Sequence, residues 1–557
     1  MTASDEYCRR DDRHALIALM GVYLAATWWY TIPFGPVWDD WVLLAHGARS
    51  LLAVAGEASR TDHALLILVF HAFGEPWTWM LAAWLCLGAA TGLIFLTARQ
   101  VRGVTRGEAF WVAALTATAP LYQARFMLSV LPYAFSAVCF TASLFLLSSH
   151  LNRPALARRI GALVFLLLAC TTHSFLTLCW IPLALVAWDS FAAGRDRGTI
   201  KEHIIRAARE VLWYSEFILV PAIVFLLRRT LLPSHGLYAN YNQIKLSPIA
   251  ALGETFSVLS KQFLGFPVFI PSLSSLPDAV LPAASLVIMG WAIARYFKPR
   301  IGPDTAGSRV PPRYLRWMFL ALALSTPIFA LYPYVIVQQP PRFSGLWETR
   351  HQLTLMLVSG SVLVCILRFF GSLRALHVSA TIIIFVFLSL DYGTARQFLT
   401  DRLEQKEIER KLAANPLPPG SLVLMVESDR GFRMFGRFFA FYELSRMVNL
   451  IDGRDDRLVV SNREIIDPAT GTYATHANLS VVEKMLQYCS LRGRPEFGFS
   501  GFSFQRSVIQ ESMEPQTDRI PLAKAIQLTI SGEPTDWITL DRKSVTIETP
   551  MCARNDP

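Results

Sequence analysis

PWTWMLAAWLCLGAATGLIFLTA occupies residues 76–98 and contains no charged side chain. A helix needs about 20 apolar residues to cross the hydrocarbon core of a bilayer, so this segment is long enough to span it. Arg99, Arg102 and Arg106 follow directly. Clusters of arginine beside a span are typical of its cytosolic flank. The segment therefore predicts a membrane-spanning helix whose carboxyl end faces the cytosol.

The whole chain repeats this alternation of apolar segments and short basic loops. Its 557 residues are 53% hydrophobic and 17% charged, whereas soluble domains average about 25% charged residues. The first apolar segment is too long for a cleavable signal peptide and lacks a small-residue cleavage site, so it predicts a signal anchor. We predict about eleven spans, at residues 14–34, 76–98, 109–122, 128–148, 159–172, 174–190, 212–227, 280–297, 315–337, 352–370 and 375–391.

The distribution of basic residues predicts the orientation of these spans. Alternate loops are rich in arginine, and the loops between them are longer, less basic and richer in aromatic residues and proline. The positive-inside rule puts the basic loops and the N-terminus in the cytosol. An odd number of spans then puts the C-terminal region outside. Arg228 and Arg229 fall on the wrong side of this assignment.

The predicted location is the inner membrane of a bacterium, with the C-terminal region in the periplasm. The basic residues are mostly arginine, which hints at a GC-rich bacterial genome. The net charge of +10 is explained by the loops beside the spans. We therefore expect contacts with membrane lipid and no binding of nucleic acid.

The character of the chain changes after Asp391, which divides it into a membrane domain, 1–391, and a soluble domain, 392–557. A charged helical stretch, 395–414, precedes the chain-breaking run Pro416-Leu-Pro-Pro-Gly420. Cys489 and Cys552 would be able to pair in an oxidising compartment. The cysteines within spans are interpreted as small hydrophobic residues. We predict an α/β or α+β domain with strands at 421–426, 502–508, 525–530 and 544–549, and helices at 432–447 and 478–488.

The two long outer loops contain amphipathic segments. Val42–Val54 and His63–Phe73 lie in loop 35–75, and Ala250–Phe263 lies in loop 228–279. Their patterns predict helices that lie in the membrane interface.

The strongest chemical signal is Trp38-Asp39-Asp40-Trp41, directly after the first span. Acidic residues near the bilayer are costly and are often functional. Repulsion between adjacent like charges makes one of the two carboxylates a better proton acceptor. The alternative is a structural role, in which the acids cap an interfacial helix and the tryptophans anchor it in the interface.

The order of elements after this motif adds a family resemblance. An outer helix, Arg60-Thr-Asp-His63-Ala-Leu-Leu-Ile-Leu-Val-Phe-His71-Ala-Phe-Gly74, leads into a second span that begins at Pro76, and a short hairpin segment runs from Ala114 to Pro120. This layout, over residues 14–190, resembles the GT-C superfamily of membrane glycosyltransferases, which use sugars linked to polyprenyl phosphates. The chain departs from the family at Thr172-His173-Ser174, where members often carry a Lys-Glu pair, so the resemblance identifies no branch.

The resemblance implies an inverting transfer of sugar on the periplasmic side. Asp39 or Asp40 would take a proton from the acceptor hydroxyl, and cations would hold the departing phosphate. Each of these cations could instead be an interfacial anchor or a snorkelling side chain. The candidates for the phosphate are Arg125, His173, Arg342, Arg350 and His351, and those for acceptor binding or support are Trp41, Asp62, His63, Tyr238 and Tyr241.

The expected donor is a polyprenyl-phosphate-linked sugar, and the expected acceptor is a lipopolysaccharide, another envelope glycan or a lipid. Asp39 and Asp40 are suitable ligands for Mg²⁺ or Mn²⁺, but we expect no obligatory metal.

Three other functions fit the sequence. A transporter or flippase would place ionisable groups near the middle of the bilayer, whereas the candidate groups here gather at one face. An envelope assembly protein without activity would tolerate replacement of Asp39 and Asp40. A glycan polymerase or ligase would rely on the long loop 228–279.

Overall fold

The computed structural model describes most of the membrane domain and parts of the C-terminal domain. The described residues are 3–32, 35–36, 40–41, 52, 55–56, 59–72, 76–193, 199–235, 243–265, 283–291, 293, 313–339, 347–417, 422–426, 439–451, 453, 457–461, 506–513, 520, 522–534 and 538–544. Asp39, Tyr238, Tyr241, Arg342, Cys489 and Cys552 lie outside them, as do helix 478–488 and nearly all of Val42–Val54.

The described membrane domain is a bundle of helices. The helices are α1 (Ala3–Thr27), α2 (Thr61–His71), α3 (Pro76–Gln100), α4 (Arg106–Thr118), α5 (Leu131–Asn152), α6 (Leu156–Ala169), α7 (Trp180–Ala193), α8 (Ile200–Trp213), α9 (Glu216–Leu231), α10 (Pro248–Gly265), α11 (Arg313–Val335), α12 (Leu353–Phe370) and α13 (Leu373–Ala414). Residues 283–291 are also helical. Short 3₁₀ helices cover Trp28–Thr31, Gln123–Phe126, Leu128–Val130, His173–Leu178 and Trp347–Gln352.

Six helical segments of the described chain are long and apolar enough to cross a membrane, and Leu320–Val335 is a shorter apolar helix. Helix α9 exposes large apolar side chains along its length, including Leu219, Ile223 and Leu226. Contiguous exposed apolar surface of this kind suits contact with lipid. The protein thus has the character of a helical membrane protein, and the count of eleven spans stays a prediction.

Ion pairs hold the helix termini together at one end of the bundle. Asp12 in α1 accepts hydrogen bonds from Nε of Arg99 at 3.0 Å and Nε of Arg106 at 3.1 Å. Arg368 near the end of α12 donates to Glu108 at the start of α4, 2.6 Å away. Arg99 and Arg106 flank one of the arginine-rich loops, so we call this the basic end. The same end holds the pairs Arg102–Asp189 and Arg159–Glu216.

The opposite end, which we call the site end, is built from short segments between the helices. The amino-terminal part of α2 and the 3₁₀ helices Gln123–Phe126, His173–Leu178 and Trp347–Gln352 lie here. Proline explains one of these turns. Helix α4 ends just before Pro120, and Pro132 occupies the first turn of α5, where its missing N–H costs no hydrogen bond.

Helix α13 continues from the membrane domain into the C-terminal domain. Ser372 caps its start by accepting a hydrogen bond from the N–H of Ala375. The last predicted span and the charged stretch 395–414 are therefore one helix. The proposed domain boundary at Asp391 falls inside that helix, because a change from apolar to charged residues does not by itself end it.

The C-terminal domain contains a four-stranded sheet in the order β2-β1-β3-β4. Strand β1 pairs in parallel with β2 and β3, and β3 pairs antiparallel with β4. Helix α15 packs on α13. The elements are β1 (Leu422–Val426), α14 (Phe441–Leu450), β2 (Leu458–Ser461), β3 (Arg506–Met513), α15 (Leu522–Ser531) and β4 (Ile538–Ser544).

The strand predictions have mixed outcomes in this domain. Strand β1 is confirmed, β3 overlaps the predicted 502–508, and β4 ends where 544–549 was expected to begin. The strand at 525–530 is wrong, because these residues belong to α15. Ala525, Leu528 and Thr529 are buried while Ile530 is exposed, which is the spacing of a helix with one apolar face.

Candidate functional site

The site end contains an unusual concentration of buried polar atoms that have no hydrogen-bond partner among the described residues. Native proteins pair nearly all such atoms with protein or water, so a group of them marks a place where a ligand or solvent binds. The atoms are the Tyr122 hydroxyl, Gln123 Oε1, His173 Nε2, His351 Nδ1, both amide atoms of Gln352, and Asp391 Oδ2.

A hydrogen bond between two 3₁₀ helices brings two predicted arginines to this end. The N–H of Ala124 donates to Oγ1 of Thr349 at 2.8 Å. Arg125 and Arg350 are the next residues along their segments, and both are buried. The charges of both arginines act on the buried hydroxyl of Tyr122. His351 stacks on Tyr334 with ring centroids 4.4 Å apart.

Arg125 forms an ion pair with Asp391 of α13. The side chains are 3% and 0% exposed, and Nη2 of Arg125 contacts Oδ1 of Asp391. We expected Arg125 to hold the donor phosphate. The ion pair ties the turn before α5 to α13, and the contact of Arg125 with a donor phosphate stays a prediction.

Arg228 forms hydrogen bonds with three residues at the site end. From the last turn of α9, its Nη2 donates to Oδ1 of Asp62 at 2.7 Å and to the carbonyl of Ser59. Its Nη1 donates to the carbonyl of Thr171 at 3.3 Å. Arg228 was not among the predicted site residues, although its position in the sequence is an exception to the orientation rule. Its place on the flank of a span where the positive-inside rule does not expect a cation was the feature of the sequence that could have indicated a role in the site.

His63 lies beside Arg228 and Asp62 in a network of hydroxyl groups. Its Nε2 lies 3.2 Å from Oγ1 of Thr172, which lies 2.8 Å from Oγ of Ser136. The edge of the His63 ring meets the ring of Tyr133 at a centroid distance of 5.6 Å. Burial lowers the pKa of His63 to about 3, against the opposing effect of Asp62. The imidazole is therefore neutral at neutral pH.

Electrostatic interactions join these residues into one positive cluster. The charges of Arg60 and Arg228 act on both His63 and His173, and Arg60 also acts on His351. Arg350 acts on His351 as well. Asp62 supplies the opposing charge next to Arg228. The predicted residues His63, Asp62, His173, Arg350 and His351 thus come together, with Arg60 and Arg228 added. We call these seven residues the cationic cluster.

Asp40 is fully buried and anchors its loop to the start of α5. Its Oδ2 accepts a hydrogen bond from the N–H of Leu128 at 3.0 Å, and its Oδ1 accepts one from the N–H of Ser129 at 2.8 Å. The carboxylate thereby caps the 3₁₀ helix Leu128–Val130, a different segment from the interfacial helix expected at Trp41. Whether Asp40 also acts as a base stays a prediction.

Trp41 belongs to an apolar core of the C-terminal domain. Its side chain is 2% exposed there, and its expected role in binding or supporting the acceptor stays a prediction. Asp40 and Trp41, which are adjacent in the sequence, therefore join the first loop to the start of α5 and to the C-terminal domain, respectively. The other core members are Ile408, Leu412, Leu417, Phe439, Leu444, Met447, Val448 and Val459.

Within the part of the chain that the structure describes, no group of three or more His, Cys, Asp or Glu side chains is placed to hold a metal ion. Asp39 is outside that part, so the expected lack of an obligatory metal stays a prediction. No protein-family model matches the sequence, and no curated protein matches it significantly. The function is therefore argued from the site itself.

Proposed function

We propose that the protein is an integral-membrane glycosyltransferase. It moves a sugar from a polyprenyl-phosphate donor to a lipopolysaccharide, another envelope glycan or a lipid acceptor on the periplasmic side of a bacterial inner membrane. The observation that carries the proposal is the cationic cluster, in which the charges of Arg60, Arg228 and Arg350 act on three histidines at the end opposite to the basic end.

The cluster has the chemistry that a departing lipid phosphate requires. When the bond between the anomeric carbon and the phosphate oxygen breaks, negative charge develops on the phosphate. Preorganised guanidinium groups in a desolvated site stabilise such charge far better than water does. Charge-assisted hydrogen bonds from arginine are also short and strong. Asp62 holds Arg228 in place through an ion pair.

In this proposal the two adjacent acidic residues have different roles. Asp40 has both oxygens engaged by backbone N–H groups and serves as the anchor of the loop. Asp39, the neighbouring acid, accepts the proton of the acceptor hydroxyl. The hydroxyl oxygen then attacks the anomeric carbon as the polyprenyl phosphate leaves on the opposite side. A single displacement of this kind inverts the anomeric configuration.

The proposed orientation has eleven spans, with the N-terminus in the cytosol and the C-terminal domain in the periplasm. It is supported by the separation of charged groups. The ion pairs of the arginine-rich loops lie at the basic end, and the cationic cluster and Asp40 lie at the other. A lipid-linked donor whose phosphate sits at the membrane surface would reach such a cluster from the bilayer.

A flippase or transporter is the second candidate. One observation favours it, the buried ion pair of Arg125 and Asp391, because ionised groups inside a bundle often mark a path for a polar substrate. Both candidates bind a lipid phosphate, but only the enzyme joins the sugar to an acceptor.

Binding of the lipid phosphate is tested with the full-length protein in nanodiscs. We expect a polyprenyl phosphate to bind at least about tenfold more tightly than the polyprenol that lacks the phosphate, which corresponds to about 1.4 kcal/mol. Equal affinity for the two lipids would contradict a phosphate site. Incubation with a polyprenyl-phosphate sugar and envelope extract then separates an enzyme, which yields a glycosylated product, from a flippase, which yields none.

A further inference from the structure

Two cysteines face each other at the site end. The Sγ atoms of Cys170 and Cys179 are 3.5 Å apart, and both residues are buried. Cys170 follows the last residue of α6, and Cys179 follows the 3₁₀ helix His173–Leu178. From the sequence alone, both cysteines were interpreted as small hydrophobic residues within spans. Their contact depends on the turn that joins the two apolar segments, and neither segment by itself predicts it.

The turn between the two cysteines carries part of the cationic cluster. It contains His173, whose Nε2 has no partner among the described residues, and Thr172, which contacts His63. The carbonyl of Thr171 accepts a hydrogen bond from Arg228. Any constraint on the ends of this turn therefore limits the movement of groups that line the site.

We propose that Cys170 and Cys179 form a disulfide in the mature protein. The inference rests on the proposed orientation, which puts the turn on the oxidising side of the membrane, where disulfides persist. The oxidant is the disulfide of an envelope thiol oxidoreductase. Exchange through a mixed disulfide forms one S–S bond and breaks two S–H bonds, and the oxidant takes up two electrons and two protons to become a dithiol.

The geometry needs only a small rearrangement. A disulfide bond is about 2.0 Å long, so the two sulfur atoms must approach from their present 3.5 Å. Rotation about the Cα–Cβ bonds moves a cysteine sulfur by this amount. Cys179 now directs its thiol towards the carbonyl of Phe175 at 3.6 Å, a weak contact that such a rotation gives up. Because eight residues separate the cysteines, they also stay close before the bundle packs.

Thiol counting on isolated membranes tests the bond. Protein denatured with or without prior reduction is labelled with a maleimide polymer, and the labels on each chain are counted on a gel. Without reduction, Cys170→Ala or Cys179→Ala is expected to add one label relative to the wild type, because each variant frees the other thiol. If the two thiols are free in the wild type, either variant removes one label instead, and the proposal is overturned.

Two controls make the result specific. Cys139→Ala, a buried cysteine of α5, should remove one label with or without reduction. Mass spectrometry of the tryptic peptide 160–195, which contains both cysteines and no internal Lys or Arg, should show a gain of two hydrogen atoms on reduction. An unchanged mass overturns the proposal even if the variants are poorly produced.

A topology reporter separates this inference from the proposed function. A reporter fused after residue 557 is active only on one side of the membrane. A periplasmic reporter together with free thiols would overturn the disulfide and leave the orientation intact. A cytosolic reporter would overturn both the orientation and the glycosyltransferase proposal.

Discussion

Arg228 donates a hydrogen bond from Nη2 to Oδ1 of Asp62 over 2.7 Å, which joins the end of α9 to the start of α2. The contact holds a guanidinium among buried polar groups at the site end of the bundle. The contact also gives a carboxylate partner to a cation that the positive-inside rule does not expect on the predicted outer flank of the span.

Replacement of Arg228 is expected to weaken the binding of a lipid phosphate. A hydrogen bond to a charged group contributes about 1.5–3 kcal/mol, so Arg228→Gln should lower the affinity for a polyprenyl phosphate by at least tenfold in nanodiscs. Arg229→Gln is the matched control, because its exposed side chain lies on the same turn of α9. An equal loss in both variants would show that only the surface charge matters.

Removal of the Asp40 carboxylate is expected to destabilise the protein. Asp40→Ala leaves the N–H groups of Leu128 and Ser129 without their acceptor in a buried site, which costs about 1–3 kcal/mol for each unsatisfied group. Thermal unfolding in detergent should show a lower midpoint for this variant than for the wild type. An unchanged midpoint would mean that these hydrogen bonds do not anchor the loop.

The ion pair between Arg125 and Asp391 predicts strong coupling between two substitutions. Loss of one partner leaves an uncompensated buried charge, and this costs about 3–5 kcal/mol. Arg125→Met and Asp391→Leu should each destabilise the bundle strongly, while the double variant should recover much of the loss. Thermal unfolding of the four proteins measures the coupling, and additive effects would contradict a direct pair.

Acid is expected to destabilise the protein through His63. Because the pKa of this residue falls from 6.5 in the unfolded chain to about 3 in the folded protein, the unfolded state binds more protons between these values. The contribution of the neutral imidazole is fully present above about pH 6.5 and is lost as the pH falls towards 3. His63→Gln removes this dependence.

The unfolding midpoints of the wild type and His63→Gln at pH 7.5 and pH 5 give the measurement. The wild type should lose more stability than the variant over this interval, because other acid-sensitive groups are common to both proteins. A difference between the two proteins that does not change with pH would contradict a lowered pKa of His63 in the folded protein.

The helices of the membrane domain could be predicted because their signal is local. Residues 76–98 form most of α3, and 352–370 nearly coincides with α12. An apolar segment of this length allows few structures other than a helix in a bilayer. The end of α13 was harder to predict. The charge changes at Asp391, but no proline follows until Pro416, and the single glycine in between, Gly393, does not end the helix.

The site was predicted only in part, because its contacts join distant parts of the chain. We predicted site roles from residue type and from position in the outer loops for Asp62, His63, His173, Arg350 and His351. The ion pair of Arg125 spans 266 positions, and the hydrogen bonds of Asp40 span 88 and 89. No local pattern indicates which groups such side chains will meet, and so their structural roles emerge only from the fold.

The glycan profile of cells that produce Asp39→Asn tests the central claim most directly. The variant replaces a carboxylate by an amide of the same shape and removes the proposed proton acceptor. At protein levels matched to the wild type, we expect the transferred sugar to disappear from the envelope glycan, while polyprenyl phosphate still binds the purified variant. A profile identical to that of the wild type would contradict the proposed sugar transfer.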